Sequence, residues 1–407
     1  MKFCIITPNI VKRDGQGRVN YEIALEAIRR GHHVTLLASR VAPELQDSSQ
    51  INWIDIPVKQ WPVQFLREII FAWRSAAWLQ KHRSELDIVQ GNGAVTWARV
   101  DVNIAPFVHS AWLRSPVHTS RQRRDFYGLY QWFYTVLNAY WEKKAFRQAK
   151  AAVAVSQRVK QELLGIGVAN NRIRVILCGV DLQEFSPGAA DRRKLGLPEQ
   201  RPLALFVGDI RTNRKNLDTV LQALAQVPDL HLVVVGTAGT TQISPYPPLA
   251  AQLGLSERVS FWENEYPVSE VMRAVDLLVF PSRYEPFGLV VIEAMASGLP
   301  IITATTTGAS ELVTPECGVV LPDSEDVNAL AQAMSKLASD GELRNRMGQA
   351  ARTIAQQHSW ASMAQTYVDL LEELASHERN GDHTHLPPTA RPSTLLEGAT
   401  TANTTSG

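Results

Sequence analysis

The sequence predicts an α/β protein made of two doubly wound domains, and three observations lead there. The chain opens on a strand, helix, strand unit; the same pattern restarts after about Pro187; and 407 residues exceed what one hydrophobic core usually fills. Lys2–Thr7 reads as a buried strand, followed by a polar loop with Gly15 and Gly17. Val19–Arg30 carries Ile23, Ala24, Ala27 and Ile28 at helical spacing, Gly31 stops it, and His33–Ala38 closes the unit. In the second half the predicted strands are Leu203–Val207, Leu230–Val235, Arg258–Trp262, Asp276–Phe280 and Pro300–Ala304, with helices over Leu217–Gln226 and Leu289–Ser297. The turn-rich stretch Gly179, Val180, Asp181, Phe185, Ser186 and Pro187 is the expected hinge. The expected units are 1–185, 186–360, a helix over 361–376 that returns to the first domain, and a disordered tail over 377–407, which has few large apolar side chains to offset chain entropy.

Composition narrows the class. Hydrophobic residues make up 45% and charged residues 20%, as in a soluble globular protein, and a net charge of +1 gives no reason to expect a nucleic-acid partner. Cys4, Cys178 and Cys317 have none of the spacings of zinc or redox pairs, so buried free thiols are expected. No secretory leader and no membrane span are legible, which predicts a cytoplasmic protein with, at most, peripheral contact at the inner membrane face. His377, His383 and His385 lie in the polar tail, where histidines more often bind nothing specific than a metal.

The chemistry is densest in SRYEPFGLVVIEAMASGLP, Ser282 to Pro300, between two predicted strands. Ligands of open α/β sheets bind at such carboxyl strand ends, and a helix opening at Gly288 or Leu289 presents free N–H groups suited to phosphate. Glu293 sits in an otherwise apolar helix, so either a protein cation or a ligand hydroxyl must meet its carboxylate. A second basic loop, GDIRTNRKN, joins a strand to a helix and carries Arg211, Arg214 and Lys215. Cations placed against a leaving diphosphate stabilise its developing charge by about 3 kcal/mol each; the alternative is a solvated loop.

Glu285 and Glu293, with Pro281, Ser282, Phe287, Gly288, Ala294, Met295, Ala296, Gly298 and Pro300 around them, resemble the signature of family 4 glycosyltransferases. The linker from Gly179 to Pro187 and the block ending Arg30-Gly31-His32 are similar to the same family, so the resemblance covers nearly all the chain before the tail. It implies the GT-B fold, two Rossmann-like domains facing a central cleft, and retaining transfer from a nucleotide-diphosphate sugar to a carbohydrate or lipid-linked acceptor. A UDP-sugar is the first choice of donor and GDP-mannose the second. Carried over by position, Glu285 contacts the donor sugar near the reacting carbon and Glu293 accepts hydrogen bonds from the ribose hydroxyls. Ser282, Phe287, Gly288 and Leu289 line the diphosphate and sugar pocket, Arg214 and Lys215 hold the phosphates with Arg211 a weaker third, and His109 hydrogen-bonds the sugar. The chain departs from the family at Asp209, where an arginine is common. Without the resemblance, His109 could be a plain polar cap at a strand end.

The Gly15-Gln16-Gly17-Arg18 loop imitates a dinucleotide fingerprint, but Asn20 stands where the third glycine belongs and Ser39 and Arg40 replace the acid after the second strand. NAD is therefore not expected, and the family reading gives Gly17 a backbone approach to the donor phosphate. No Asp-x-Asp occurs, so neither a metal nor a cofactor is expected.

Arg121, Arg123, Arg124, Lys143, Lys144 and Arg147 alternate with Phe126, Tyr127, Tyr130, Trp132, Phe133 and Tyr140, and Trp61, Phe65 and Trp73 lie upstream. Such interleaving suits an anionic bilayer surface or an acceptor groove, or else ordinary core packing with solvated arginines. A nucleotide-sugar epimerase on the same scaffold is the enzyme alternative, and the two-glutamate signature argues against it. A non-catalytic binder would be expected to lack Glu285, Glu293 or the Arg214-Lys215 pair, and all are present.

Overall fold

Short runs of Val, Ile, Leu and Ala, buried on both faces, form two parallel sheets in the computed structural model, which describes residues 1–12, 14–236, 245–263 and 266–379. The first half contributes β1 (Lys2–Ile6), β2 (Asn9–Ile10), β3 (His33–Ala38), β4 (Arg40–Val41), β5 (Ile51–Asp55), β6 (Ile88–Asn92), β7 (Val102–Ala105), β8 (Ala151–Ala154) and β9 (Ile173–Val175). The second contributes β10 (Leu203–Val207), β11 (His231–Val235), β12 (Val259–Trp262), β13 (Leu277–Phe280), β14 (Ile301–Ala304) and β15 (Gly318–Leu321). Their orders are β5-β3-β1-β6-β7-β8-β9 and β12-β11-β10-β13-β14-β15, with β2 and β4 paired separately.

Each sheet reverses its winding once, between β1 and β6 in the first and between β10 and β13 in the second. At such a switch point the loops leaving the two strands part and open a crevice beyond the carboxyl ends. Residues 7–14 and 93–101 leave the first pair, and residues 208–216 and 281–288 leave the second. The basic loop and the glutamate motif therefore meet because the strands before them are neighbours: Leu205 pairs with Leu278.

The first helix, Gly15–Arg29, begins four residues before the apolar spacing suggests, because the Asp14 side chain accepts from the Gly17 N–H and starts it. Asn20 donates to the Gln16 carbonyl and shares hydrogen bonds with Gln90 and Asn92, so the residue that breaks the dinucleotide pattern pins this helix to β6. The predicted hinge is tied down on both sides. Val180 exchanges backbone hydrogen bonds with His358 and Trp360, Asp181 accepts from the amides of Gln183 and Glu184, and Arg352 donates to the Phe185 carbonyl. From there the helix Trp360–Arg379 lies along Gly15–Arg29, where Arg30 reaches Asp369 at 2.6 Å and Glu372 at 2.9 Å.

Cys4, Cys178 and Cys317 are buried free thiols. The aromatic segments are the helices Gln64–His82 and Phe126–Gln148; their outer faces leave Trp73, Phe126, Leu129, Trp132, Phe133 and Tyr140 exposed, Phe126 to 93%. Among the described residues no helix is long and apolar enough to cross a membrane. The predicted tail lies outside the described residues from 380 onward, His383 and His385 with it.

The helix Leu289–Ala296 is held in place by a close backbone approach from the helix Gly341–Ala355. A Cβ on Gly348 would lie 2.0 Å from the Gly298 carbonyl oxygen. Gly348→Ala, which in an open helix would stabilise by about 1 kcal/mol, is expected to destabilise the protein by about 1–3 kcal/mol in urea unfolding.

Candidate active site

The loop after β10 ends in one short turn, Asn213–Lys215, closed by Asn216 in the left-handed region at φ 70°. Asparagine tolerates that backbone better than most residues. Buried there, its amide donates to the carbonyls of Pro281 at 2.9 Å and Ser324 at 2.6 Å, fastening the basic loop to the segments after β13 and β15. Ser282 completes the fastening: its hydroxyl donates to the Arg214 carbonyl at 3.0 Å, and the Arg283 amide donates to the same oxygen. Ser282 is thus fully buried between the loops and does not line the cavity, contrary to the sequence expectation.

This zipper delivers Glu285 onto Lys215 and Arg214. The Glu285 carboxylate meets the Lys215 ammonium directly and the Arg214 guanidinium at 3.3 Å, while Arg214 also donates to the Tyr284 carbonyl at 3.1 Å. Burial pushes the Glu285 carboxyl up, but Lys215 and then Arg214 outweigh it and hold it below the usual carboxylate range. Burial lowers the Lys215 pKa, with Glu285 opposing. Arg211 does not join them: it folds back onto Asp209, two residues earlier, with a two-pronged pair at 2.8 and 2.7 Å, and remains exposed.

Beside this cluster Gly288 takes φ +99°. A Cβ there would meet Thr307 at 3.1 Å and Glu285 at 3.2 Å, so both the backbone angle and the space call for glycine. The helix Leu289–Ala296 starts on it, and the first-turn N–H groups of Gly288, Leu289 and Val290 have no acceptor among the described residues. They face a cavity of about 460 Å³ between the two sheets, walled by Lys215, Glu285, Phe287, Gly288 and Leu289 on one side and by Gly15, Gln16 and Phe107 on the other. Gly15, not Gly17, faces this cleft. A Cβ on Gly15 would lie 3.3 Å from Leu289, whereas the Gly17 N–H is already taken by Asp14.

Glu293 lies one helical turn beyond Leu289 and Val290, outside the cavity wall. No protein cation meets it among the described residues. Its carboxylate has no hydrogen-bond partner there, and burial, with the nearby Glu184 charge, pushes it up to about 7. Of the two partners that the sequence left open, the protein does not supply one.

His109 opens the short helix His109–Arg114 instead of ending a strand. The buried Glu142 carboxylate accepts from its backbone N–H and its Nδ1, both at 2.9 Å, and from the Ser110 amide at 2.8 Å. The ring lines a second cavity, of about 330 Å³, inside the first domain, not the one that holds Lys215 and Glu285. Gln16, Asn92, Pro106 and Phe107 belong to both walls, so the two cavities adjoin. Sequence reasoning missed Asn216, Glu142 and Tyr284. The Tyr284 phenol crosses into the first domain to donate to Glu162 at 3.1 Å, and its ring lies 5.4 Å from both Phe107 and Trp112. An aromatic inside the glutamate motif was the only signal for it.

Two facing doubly wound domains with a cavity between them are the arrangement of the GT-B fold class. Residues 13–184 match the family described as Glycosyltransferase Family 4 and residues 189–354 that described as Glycosyl transferases group 1; the chain belongs to the group 1, family 4 glycosyltransferases. Among curated relatives, a D-inositol 3-phosphate glycosyltransferase from Corynebacterium jeikeium (strain K411) is 32% identical over 246 residues, 56% of this chain and 58% of the relative. The chain thus matches little more than half the length of that relative. One from Corynebacterium glutamicum (strain R) is 29% identical over 72% of this chain and 73% of its own. Among solved structures, WaaG, a glycosyltransferase involved in lipopolysaccharide biosynthesis, superposes with a TM-score of 0.71 at 23% identity, covering 91% of this chain and 99% of WaaG. Sucrose-phosphate synthase from Thermosynechococcus elongatus gives 0.75 at 23%, over 92% and 99%.

A carboxyl raised to about 7 in the fold binds its proton more tightly there than in the unfolded chain, where it titrates near 4.5. Glu293 therefore lowers stability as pH rises through that window, and the loss is complete above about 7. Glu293→Gln is expected to stabilise the ligand-free protein by on the order of 2 kcal/mol at pH 8 and by little at pH 5, read from urea melts at both.

Proposed function

We propose that the protein is a retaining, metal-independent glycosyltransferase that moves a hexose from a nucleotide-diphosphate sugar to a carbohydrate or lipid-linked acceptor. The observation that carries this reading is the convergence of Lys215, Glu285 and the free N–H groups of residues 288–290 on one cleft between two domains, with Arg214 beside Glu285 at 3.3 Å. A diphosphate there would meet two cations and a helix N-terminus, the counter-charge that a bound metal supplies in other transferases. Glu293, unpartnered and near the same helix face, suits paired ribose hydroxyls, which a carboxylate accepts two at a time. A UDP-sugar is our first choice of donor and GDP-mannose the second.

In the step itself the bond from the anomeric carbon to the leaving phosphate oxygen breaks and the acceptor oxygen bonds to the same face. The acceptor proton passes to the departing diphosphate. Lys215 and Arg214 stabilise that diphosphate, and the Glu285 carboxylate opposes the positive charge growing on the sugar. Glu142 fixes the His109 ring through Nδ1, which leaves Nε2 to hydrogen-bond a sugar hydroxyl. The Glu285 carboxylate is tied up by two cations, which argues against its acting as a nucleophile in an epimerase or hydrolase sense.

Proton NMR of the reaction is expected to show a product with the donor's anomeric configuration, formed with EDTA present. Lys215→Ala should lower kcat by roughly 100- to 1,000-fold while the fold persists, because Arg214 keeps Glu285 paired. An inverted product, or wild-type turnover by Lys215→Ala, would contradict the reading.

The exposed apolar side chains Phe126, Leu129 and Phe133, among Arg121, Arg123 and Arg124, also favour peripheral contact with an anionic bilayer. Sedimentation with vesicles is expected to require anionic lipid, weaken with salt, and fall at least about fivefold when Phe126, Leu129 and Phe133 are changed together to Ser. Equal binding to neutral vesicles would refute it.

A further inference from the structure

The second cavity, inside the first domain, has a chemical character of its own. It lies at the switch point of the first sheet, between the helices Gln64–His82 and Phe126–Gln148, and its volume of about 330 Å³ falls at the lower end of small-molecule sites. Its wall carries three carboxylates, Asp14, Glu68 and Glu142, and among the described residues no lysine or arginine. Their partners are neutral donors: Asp14 accepts from the Gly17 amide, and Glu68 from the Tyr134 phenol at 2.7 Å and the Gln64 amide at 2.8 Å. Only Glu142 has an imidazole beside it.

Two further polar residues of the wall, little exposed themselves, offer free groups to the cavity. Thr7 is 1% exposed and Asn138 7%. Neither the Thr7 hydroxyl nor the Asn138 carbonyl oxygen has a partner among the described residues; the Asn138 amide donates to the Tyr134 carbonyl. Both atoms stay open to the cavity, so a molecule that enters it can hydrogen-bond them. The walls shared with the interdomain cavity put that occupant next to the proposed donor site.

We infer that this cavity is the acceptor site and that it takes an uncharged, hydroxyl-rich glycosyl unit and rejects a phosphorylated one. The inference rests on the transferase reading for the name acceptor, but the preference itself follows from the wall. Hydroxyls can donate to the carboxylates and to Asn138 and exchange hydrogen bonds with Thr7, whereas a phosphate would bring negative charge against uncompensated carboxylates.

Saturation-transfer NMR of the whole protein with methyl hexosides and the matching hexose 6-phosphates tests it. At least one methyl hexoside should bind, its 6-phosphate at least about tenfold more weakly, and Glu68→Gln should narrow the gap by several-fold, because one repelling charge is gone. Thr7→Val should weaken the hexoside further. A general loss of structure would weaken both ligands together and leave their ratio unchanged. Tighter binding of the phosphates, binding of neither class, or an unchanged ratio in a Glu68→Gln protein whose circular dichroism and melting match wild type overturns the inference. A nucleotide titration of the same sample judges the transferase reading separately, since donor binding does not involve Glu68 or Thr7.

Discussion

Taken out of water alone, the Glu285 carboxylate or the Lys215 ammonium would each cost several kcal/mol; brought together they can be buried, and the rest of the site follows from that pairing. The pair forms only if the loops after β10 and β13 are in register, which is the work of Asn216 and Ser282 underneath. The register in turn depends on β10 and β13 being neighbours at the winding reversal of the second sheet. Removing one member of such a pair commonly costs about 3–5 kcal/mol, but Arg214 stands in reserve beside Glu285.

The same cleft leaves other groups unsatisfied. The N–H groups at the start of Leu289–Ala296 and the Glu293 carboxylate have no partner, on a helix otherwise packed into the core. A fold selected for stability alone would replace Glu293 with an apolar residue and fill the cleft. Positive groups concentrated beside free amides, with a lone acceptor one turn away, describe a place prepared for something both anionic and hydroxylated.

The fold was legible because the second sheet is buried on both faces, so its strands are unbroken apolar runs such as Leu203–Val207 whose length alone sets their ends. The start of the first helix was less so, since two glycines hid a cap that only Asp14 supplies. Within the site, Lys215, Arg214 and Glu285 could be singled out because the two cations lie in one dense local motif and the carboxylate in another. Arg211 could have been set aside on spacing alone, given Asp209 two residues before it. Ser282 could not, because whether a hydroxyl points into a cleft or under a loop depends on a contact 68 residues away. The first-domain cavity left no trace in the sequence. Thr7, Glu68 and Asn138 come from separate elements, and their shared feature, the lack of a partner or a counter-charge, exists only once the chain has folded.

The most direct test of the central claim is calorimetric titration of the protein with UDP, GDP and ADP in EDTA at pH 8, repeated at pH 6. The account predicts micromolar binding of one nucleotide without metal, and weaker binding at pH 6 as Glu293, raised to about 7, takes up a proton and loses its capacity to accept both ribose hydroxyls. Binding that appears only after a divalent metal is added, or no binding of any of the three by folded protein, would contradict it.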